Sequence, residues 1–187
     1  MEPAYKLSRR KFLQAAMVAV AASGSGIACG GEKSPWRFLT VNEARTLAAA
    51  CDQIIPTDED SGAAWAAVVT YIDRQLCGPL KDLQNTYRWG IAAMDRSSRI
   101  LYASAFAEIP GDKQIELLAR MEHGQAPAEA WKKIPSTEFF SHLLDQTMQG
   151  FYGDPRHGGN RDGVSWTMLG LAYPPIRGRL HYDLSKS

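Results

Sequence analysis

The 187 residues carry 21 Lys and Arg against 20 Asp and Glu, a formal charge of +1, and 45% of them are hydrophobic. A near-neutral chain of this kind lacks the strongly basic footprint of a nucleic-acid binder, and its length suits one ordinary buried core and one domain.

Taken from the start, the chain runs from a basic part, Lys6, Arg9, Arg10 and Lys11, into an apolar Ala-rich stretch from Phe12 to about Ile27, broken by Ser23, Gly24, Ser25 and Gly26. That order is the order of a targeting peptide, and the stretch is too mildly hydrophobic to read as a membrane span. Ser8-Arg9-Arg10-Lys11-Phe12-Leu13 matches the twin-arginine pattern, with Arg9, Arg10, Phe12 and Leu13 at its informative positions. The expectation is export of folded cargo to the periplasm by the twin-arginine translocase. Small residues at Gly26 and Ala28 predict cleavage after residue 28, so that residues 1–28 are the signal. Their loss removes four Lys/Arg and one Glu and takes the formal charge from +1 to −2, which leaves no basis for nucleic-acid binding. Cys29 then heads the remaining chain as a candidate for lipidation, although Gly26 stands where a lipobox usually has Leu. A diacylated Cys29 would tether the protein to a membrane.

Residues 29–39 read as a linker with Pro35, whose Trp36 and Phe38 are able to fold back on the domain that follows, residues 40–187. Thr40-Val41-Asn42-Glu43 is a capping box and starts a first helix with Leu47, Ala50, Cys51, Ile54 and Ile55 on one face, stopped by Pro56. After a polar run from Thr57 to Ser61, a second helix from about Ala63 to Leu76 aligns Trp65, Val68, Val69, Ile72 and Leu76 until Gly78-Pro79. A third helix from about Leu80 to Tyr102 turns Leu83, Tyr87, Ile91, Met94 and Leu101 inward, with Gly90 as its weak point. Pro110-Gly111-Asp112 opens a fourth with Ile115, Leu118 and Met121 inward, closed by Gly124. Ser136 caps a fifth, striped by Phe139, Phe140, Leu143, Leu144 and Met148 as far as Gly150. No segment alternates long enough for a strand, so the fold class is all-α, a single bundle of about five helices with a Gly-rich C-terminal loop.

Apart from Cys29, only Cys51 and Cys77 remain. In an oxidising compartment they could pair, a cross-link worth about 3.5 kcal/mol by chain entropy, or stay as two buried thiols. Nothing in the spacing decides between these. The four histidines, His123, His142, His157 and His181, form no H-x-x-x-H or Cys/His cluster, so no metal site is expected. Asp58, Glu59 and Asp60 read as a solvated run after a helix stop, not as a catalytic carboxylate pair.

The dense stretch is Phe151-Tyr152-Gly153-Asp154-Pro155-Arg156-His157-Gly158-Gly159-Asn160-Arg161-Asp162-Gly163, followed by Trp166 and Gly170. Its glycines and Asn160 permit positive φ and Asp154-Pro155 favours a turn, which predicts a shaped loop. Its spacing fits neither the dinucleotide nor the P-loop fingerprint. Trp65 and Trp89 are assigned to the core. Tyr152, Asp154, Pro155, Arg156, Gly158, Gly159, Asn160, Arg161 and Trp166 are the candidate partner interface, since a conspicuous loop on a domain with no visible reaction chemistry calls for another use.

The pattern Gly-Phe-Tyr-Gly-Asp-Pro from Gly150, Gly-Gly-Asn-Arg-Asp from Gly158, then Trp166 and Gly170, resembles the gluconate 2-dehydrogenase subunit 3 family. Ile54-Ile55-Pro56-Thr57-Asp58, Tyr71-Ile72-Asp73 and Phe139-Phe140 agree with it, so the likeness runs from about Leu39 to Pro175. The resemblance implies a noncatalytic small subunit that holds no cofactor itself and supplies export and maturation to a GMC-type large subunit carrying FAD, with a multihaem cytochrome c as a third partner in some complexes. The residues agree, because the chain has no C-x-x-C-H for haem. A free-standing periplasmic oxidoreductase and a purely structural lipoprotein are the alternatives left open.

Overall fold

The computed structural model of the chain describes residues 34–171. Arg9, Arg10, Phe12, Leu13, Cys29 and His181 lie outside the described residues. The described part is built from α1 (Val41–Ile54), α2 (Val68–Leu76), α3 (Gln84–Tyr102), α4 (Gly111–Glu122), α5 (Ser136–Tyr152) and a short α6 (Val164–Met168). Single 3₁₀ turns at Lys81–Leu83, Phe106–Glu108, Pro155–His157 and Arg161–Gly163 join them, and no strand occurs among the described residues. No described helix is long and apolar enough to cross a membrane. The all-α expectation holds, with α6 as a sixth helix in the segment that carries too few periodic positions to announce itself.

α1 starts as its sequence dictates. The Thr40 side chain accepts from the Glu43 amide at 3.3 Å and the Glu43 carboxylate accepts from the Thr40 amide at 2.8 Å. Burial of the Glu43 carboxyl, the largest single influence, raises its pKa, but hydrogen bonds from Thr40 and Arg88 together outweigh it and hold the group below its usual range. Arg88 of α3 pairs with Glu43, donates to the Phe38 carbonyl at 2.7 Å and lies 4.2 Å from the Phe38 ring centroid. The first turn of α1 is thereby stitched both to α3 and to the segment that precedes it.

The second helix begins later than its periodicity suggests. Gly62 presses against the backbone of Ile55 to Thr57, where a Cβ would lie 2.6 Å from three backbone atoms. Residues 63–67 complete this reversal as turns, ending in Ala67 at φ 57°, and the helix can start only at Val68. The delay rotates Trp65 away from the core, so that it is 52% exposed. Trp89 is likewise exposed, which corrects the assignment of both indoles to the interior.

The core is centred on Phe139 of α5. Its ring meets Tyr87 edge-on at 5.6 Å and Trp131 at 5.9 Å, and it lies over Gly90 of α3. A Cβ at Gly90 would come within 2.1 Å of that ring. The residue expected to weaken α3 is therefore what lets α5 approach it. Trp131 donates from Nε1 to Ser97 Oγ at 2.9 Å, satisfying both buried polar groups.

Two details of the helix faces and caps differ from expectation. On α4 the inward stripe is Gln114, Leu117, Leu118 and Met121, and Ile115 points to solvent, because a strict three-residue repeat drifts round a helix of 3.6 residues per turn. Ser136 does not cap α5. Pro135 occupies that position and the Ser136 hydroxyl donates to the Met121 carbonyl at 3.0 Å, tying the end of α4 to the start of α5. Of the outer predicted positions, Leu101 and Met148 are also exposed.

Cys51 and Cys77 are free thiols, one buried in α1 and the other exposed just past α2, so the disulfide alternative is not realised and the two are not both buried. Thr147 donates its hydroxyl to the Leu143 carbonyl at 2.7 Å, which leaves its oxygen to accept from the Cys51 thiol at 3.3 Å. Burial pushes the Cys51 thiol up to about 12. It is a packing residue, not a nucleophile.

Candidate functional site

The Gly-rich loop leaves the end of α5 and returns through α6, and its shape is held from within. Asn160 is fully buried in the left-handed region at φ 43°. Its Nδ2 donates to the Gly153 carbonyl at 2.8 Å, and its Oδ1 accepts from the Ser165 amide at 3.0 Å. One side chain thus closes the loop at its entrance and fixes the first turn of α6. Trp166, 8% exposed, donates from Nε1 to the Tyr152 carbonyl at 3.0 Å and fastens α6 to the last residue of α5.

The glycines serve close approach. At Gly159 a Cβ would sit 2.0 Å from the Gly150 carbonyl oxygen, so the loop backbone lies directly on α5. Gly150 in turn lets α5 approach Tyr71 of α2, where a Cβ would be 3.0 Å from the ring. Gly158, at φ 106°, faces the Arg74 side chain, with its Cβ position 2.8 Å from Arg74 Cδ. The Tyr71 hydroxyl donates to Gln149 at 3.0 Å beside this contact, and burial raises its pKa.

Asp154 opens the first 3₁₀ turn. Its carboxylate accepts from the Arg156 amide at 2.9 Å and from the Arg156 guanidinium at 3.0 Å, while Pro155 supplies the first position of the turn. Arg156 and His157 face solvent. On the return, the Arg161 amide donates to the Ala66 carbonyl at 3.2 Å, joining the loop to the reversal that precedes α2. The Arg161 guanidinium lies 5.7 Å from the Trp65 ring centroid, an exposed cation over an exposed indole. Beside them a shallow recess of about 480 Å³ is walled by Trp65 and Met168 and edged by Glu59, Asp60 and Asp162.

The predicted interface residues are therefore brought into one region but divide in two. Gly159, Asn160 and Trp166 are buried and build the loop; Tyr152, Arg156 and Arg161 are exposed and form its outer surface, with Asp154, Pro155 and Gly158 between. Sequence reasoning missed Trp65 as part of that surface. Gly62, directly after the polar run Thr57 to Ser61, was the available sign of a tight reversal that would turn the indole outward. It also missed Asp73, which is 3% exposed and accepts from three consecutive backbone amides, Arg37 at 2.8 Å, Phe38 at 2.9 Å and Leu39 at 3.0 Å. The Asp in Tyr71-Ile72-Asp73 is thus a clamp on the segment leading into the domain. Among the described residues no three His, Cys, Asp or Glu side chains are grouped to hold a metal ion.

No curated protein and no solved structure matches the chain. The model of one family, described as gluconate 2-dehydrogenase subunit 3, matches residues 41–172, which takes in α1 through α6 and every residue of the loop just described. With most of its length covered, and with the loop motif and Asp73 inside the match, the chain belongs to the gluconate 2-dehydrogenase subunit 3 family.

Proposed function

We propose that this chain is the noncatalytic small subunit of a membrane-associated, FAD-dependent dehydrogenase of the GMC type acting on a sugar or sugar acid. In this reading the flavin belongs to the large subunit, and a multihaem cytochrome c is the onward electron acceptor where a third subunit is present. The small subunit assists folding of the flavoprotein and carries it to the periplasm on its own twin-arginine signal, with Cys29 as the membrane tether.

The observation that carries the reading is the division of the loop. Asn160, Gly159 and Trp166 spend their polar groups and close contacts on the protein itself. What they hold outward is Tyr152, Arg156 and Arg161, with the exposed apolar Leu169 after α6, and Trp65, turned out by the reversal before α2, stands beside Arg161. Trp, Tyr and Arg are the residue types that dominate binding energy at protein interfaces, and here they sit on a fixed backbone, which lowers the entropy lost on docking. A large flavoprotein partner suits such a surface.

Two experiments test it. Co-expression of the flavoprotein with an Arg9→Lys, Arg10→Lys variant should leave the flavoprotein in the cytoplasm; its arrival in the periplasm would sink the carrier role. Co-purification with a Trp65→Ala, Arg161→Ala variant should weaken capture of the flavoprotein at least about tenfold, the effect of losing roughly 1.4 kcal/mol at one hot spot. Undiminished capture would place the interface elsewhere.

A further inference from the structure

A second concave site lies away from the loop motif, between α3 and the connection from α4 to α5. It is a cleft of about 260 Å³ with Trp89, Ala93 and Arg96 on the α3 side and Ala130, Lys132 and Lys133 on the other. Trp89, Ala93 and Arg96 fall on one stripe of the helix by their spacing of four and three residues. Ala93 and Ile134, both buried, make the floor apolar. The Trp89 indole, 38% exposed, forms a flat wall, and Lys133 Nζ lies 5.4 Å from its ring centroid.

Arg96, Lys132 and Lys133 line the same cleft. Among the described residues no ion pair takes in Arg96, Lys132 or Lys133, and Glu129 is the one acidic residue on the rim. Isolated surface lysines face water and need no explanation. These two are held differently, because their neighbours on either side are anchors. Trp131 is buried and hydrogen-bonded to Ser97, and Ile134 is buried in the core, so the backbone bearing Lys132 and Lys133 is fixed against α3. A cation that is already positioned over an apolar wall loses less freedom on binding than one on a mobile loop.

The geometry points to a binding site for a small flat acid: an anionic group held by Arg96, Lys132 and Lys133, and an apolar, preferably aromatic, body lying against the Trp89 indole above Ala93. A volume of about 260 Å³, just below the ~300–1,000 Å³ of pockets that hold drug-sized ligands, suits a one- or two-ring acid and is too small for a dinucleotide. Charge alone would accept any anion, and the indole with its apolar floor selects those with a hydrophobic face. Neither property depends on the flavoprotein, so this site and the docking loop stand or fall separately.

The test uses the full chain and 2-naphthoate as the probe, titrated by calorimetry beside its neutral relative 2-naphthylmethanol. The acid should bind in the sub-millimolar range and the alcohol at least about tenfold more weakly. A Lys132→Gln, Lys133→Gln variant should lose at least about tenfold in affinity for the acid, and Trp89→Leu should lose binding of both compounds. Circular dichroism melts of both variants should match the parent, since the three side chains lie at the surface. Equal affinity for acid and alcohol, an unchanged affinity in the double-lysine variant, or no binding of the acid at millimolar concentration would each overturn the site. Cosedimentation with phosphatidylglycerol vesicles separates one further outcome: lysine-dependent vesicle binding without naphthoate binding would make the cleft part of a lipid-facing surface and would also overturn the proposal.

Discussion

Replacing Asp73 should release the segment that leads into the helical domain. The carboxylate is nearly inaccessible and accepts from the amides of Arg37, Phe38 and Leu39 at 2.8–3.0 Å. Hydrogen bonds to a charged group contribute about 1.5–3 kcal/mol each, and an amide left buried without a partner loses its full desolvation cost. The Leu39 amide is buried, whereas those of Arg37 and Phe38 are only partly so and regain water when the segment lifts. Relief of the buried charge offsets a further part. Asp73→Ala should therefore lower stability by about 3–5 kcal/mol, a large share of the ~5–15 kcal/mol typical of a domain. Asp73→Asn keeps one acceptor but turns an NH₂ group toward one of the amides, and should lose about 1–2 kcal/mol. Urea denaturation gives both values. Limited proteolysis should show new cleavage between residues 34 and 39 in Asp73→Ala before the helices are attacked. A change below about 0.5 kcal/mol in Asp73→Ala, or equal losses in the two variants, would refute the clamp.

Gly90→Ala should destabilise the protein by about 1–3 kcal/mol in thermal or urea melts, although helix propensity alone predicts a gain of about 1 kcal/mol, because the new methyl would meet the Phe139 ring at 2.1 Å. The sign of the change decides between packing and propensity. Under non-denaturing conditions iodoacetamide should modify Cys77 and spare Cys51, as mapped by mass spectrometry, since Cys51 is buried and its thiol is pushed up to about 12. Protection of both until a reductant is added would reveal a disulfide. Glu43 has a lower pKa folded than unfolded, so its contribution is present above the unfolded carboxyl pKa and fades as pH falls through the folded one. Glu43→Gln should accordingly lower stability by about 1 kcal/mol at pH 7 and by less at pH 3, measured by urea denaturation at both.

Where local chemistry alone determines an element, the sequence announces it. The Thr40–Glu43 capping box, the stop at Pro56 and the Pro110-Gly111 start of α4 all appear where their residues place them. Misplacement begins where a distant contact decides. Nothing beside Gly90 in the chain says that Phe139 will cover it, and Gly62 alone marks the reversal against Ile55 to Thr57 without saying that it delays α2 by a turn. The exposure of Trp65 follows from that delay. The loop was recognisable by composition, but the roles within it were not. Asn160 and Trp166 look like surface residues in a polar, Gly-rich stretch, and only the tertiary fold reveals that their hydrogen bonds run to Gly153, Ser165 and Tyr152.

That inversion bears on how the motif should be read. Its most distinctive residues are buried, so substitutions at Gly159, Asn160 or Trp166 act through the fold, and loss of partner binding in such variants says little about the interface. The Cβ position of Gly159, 2.0 Å from a helix carbonyl, leaves no side chain to move aside, and the whole loop must shift to accept it. Residues able to report on docking are those whose side chains take no part in the loop's internal hydrogen bonds: Trp65, Tyr152 and Arg161, whose backbone amide still binds the Ala66 carbonyl after truncation, whereas the Arg156 guanidinium is already committed to Asp154. Arg161 is the most informative of these, because its amide serves the fold while its guanidinium is exposed over Trp65. An alanine there separates the two functions at a single position.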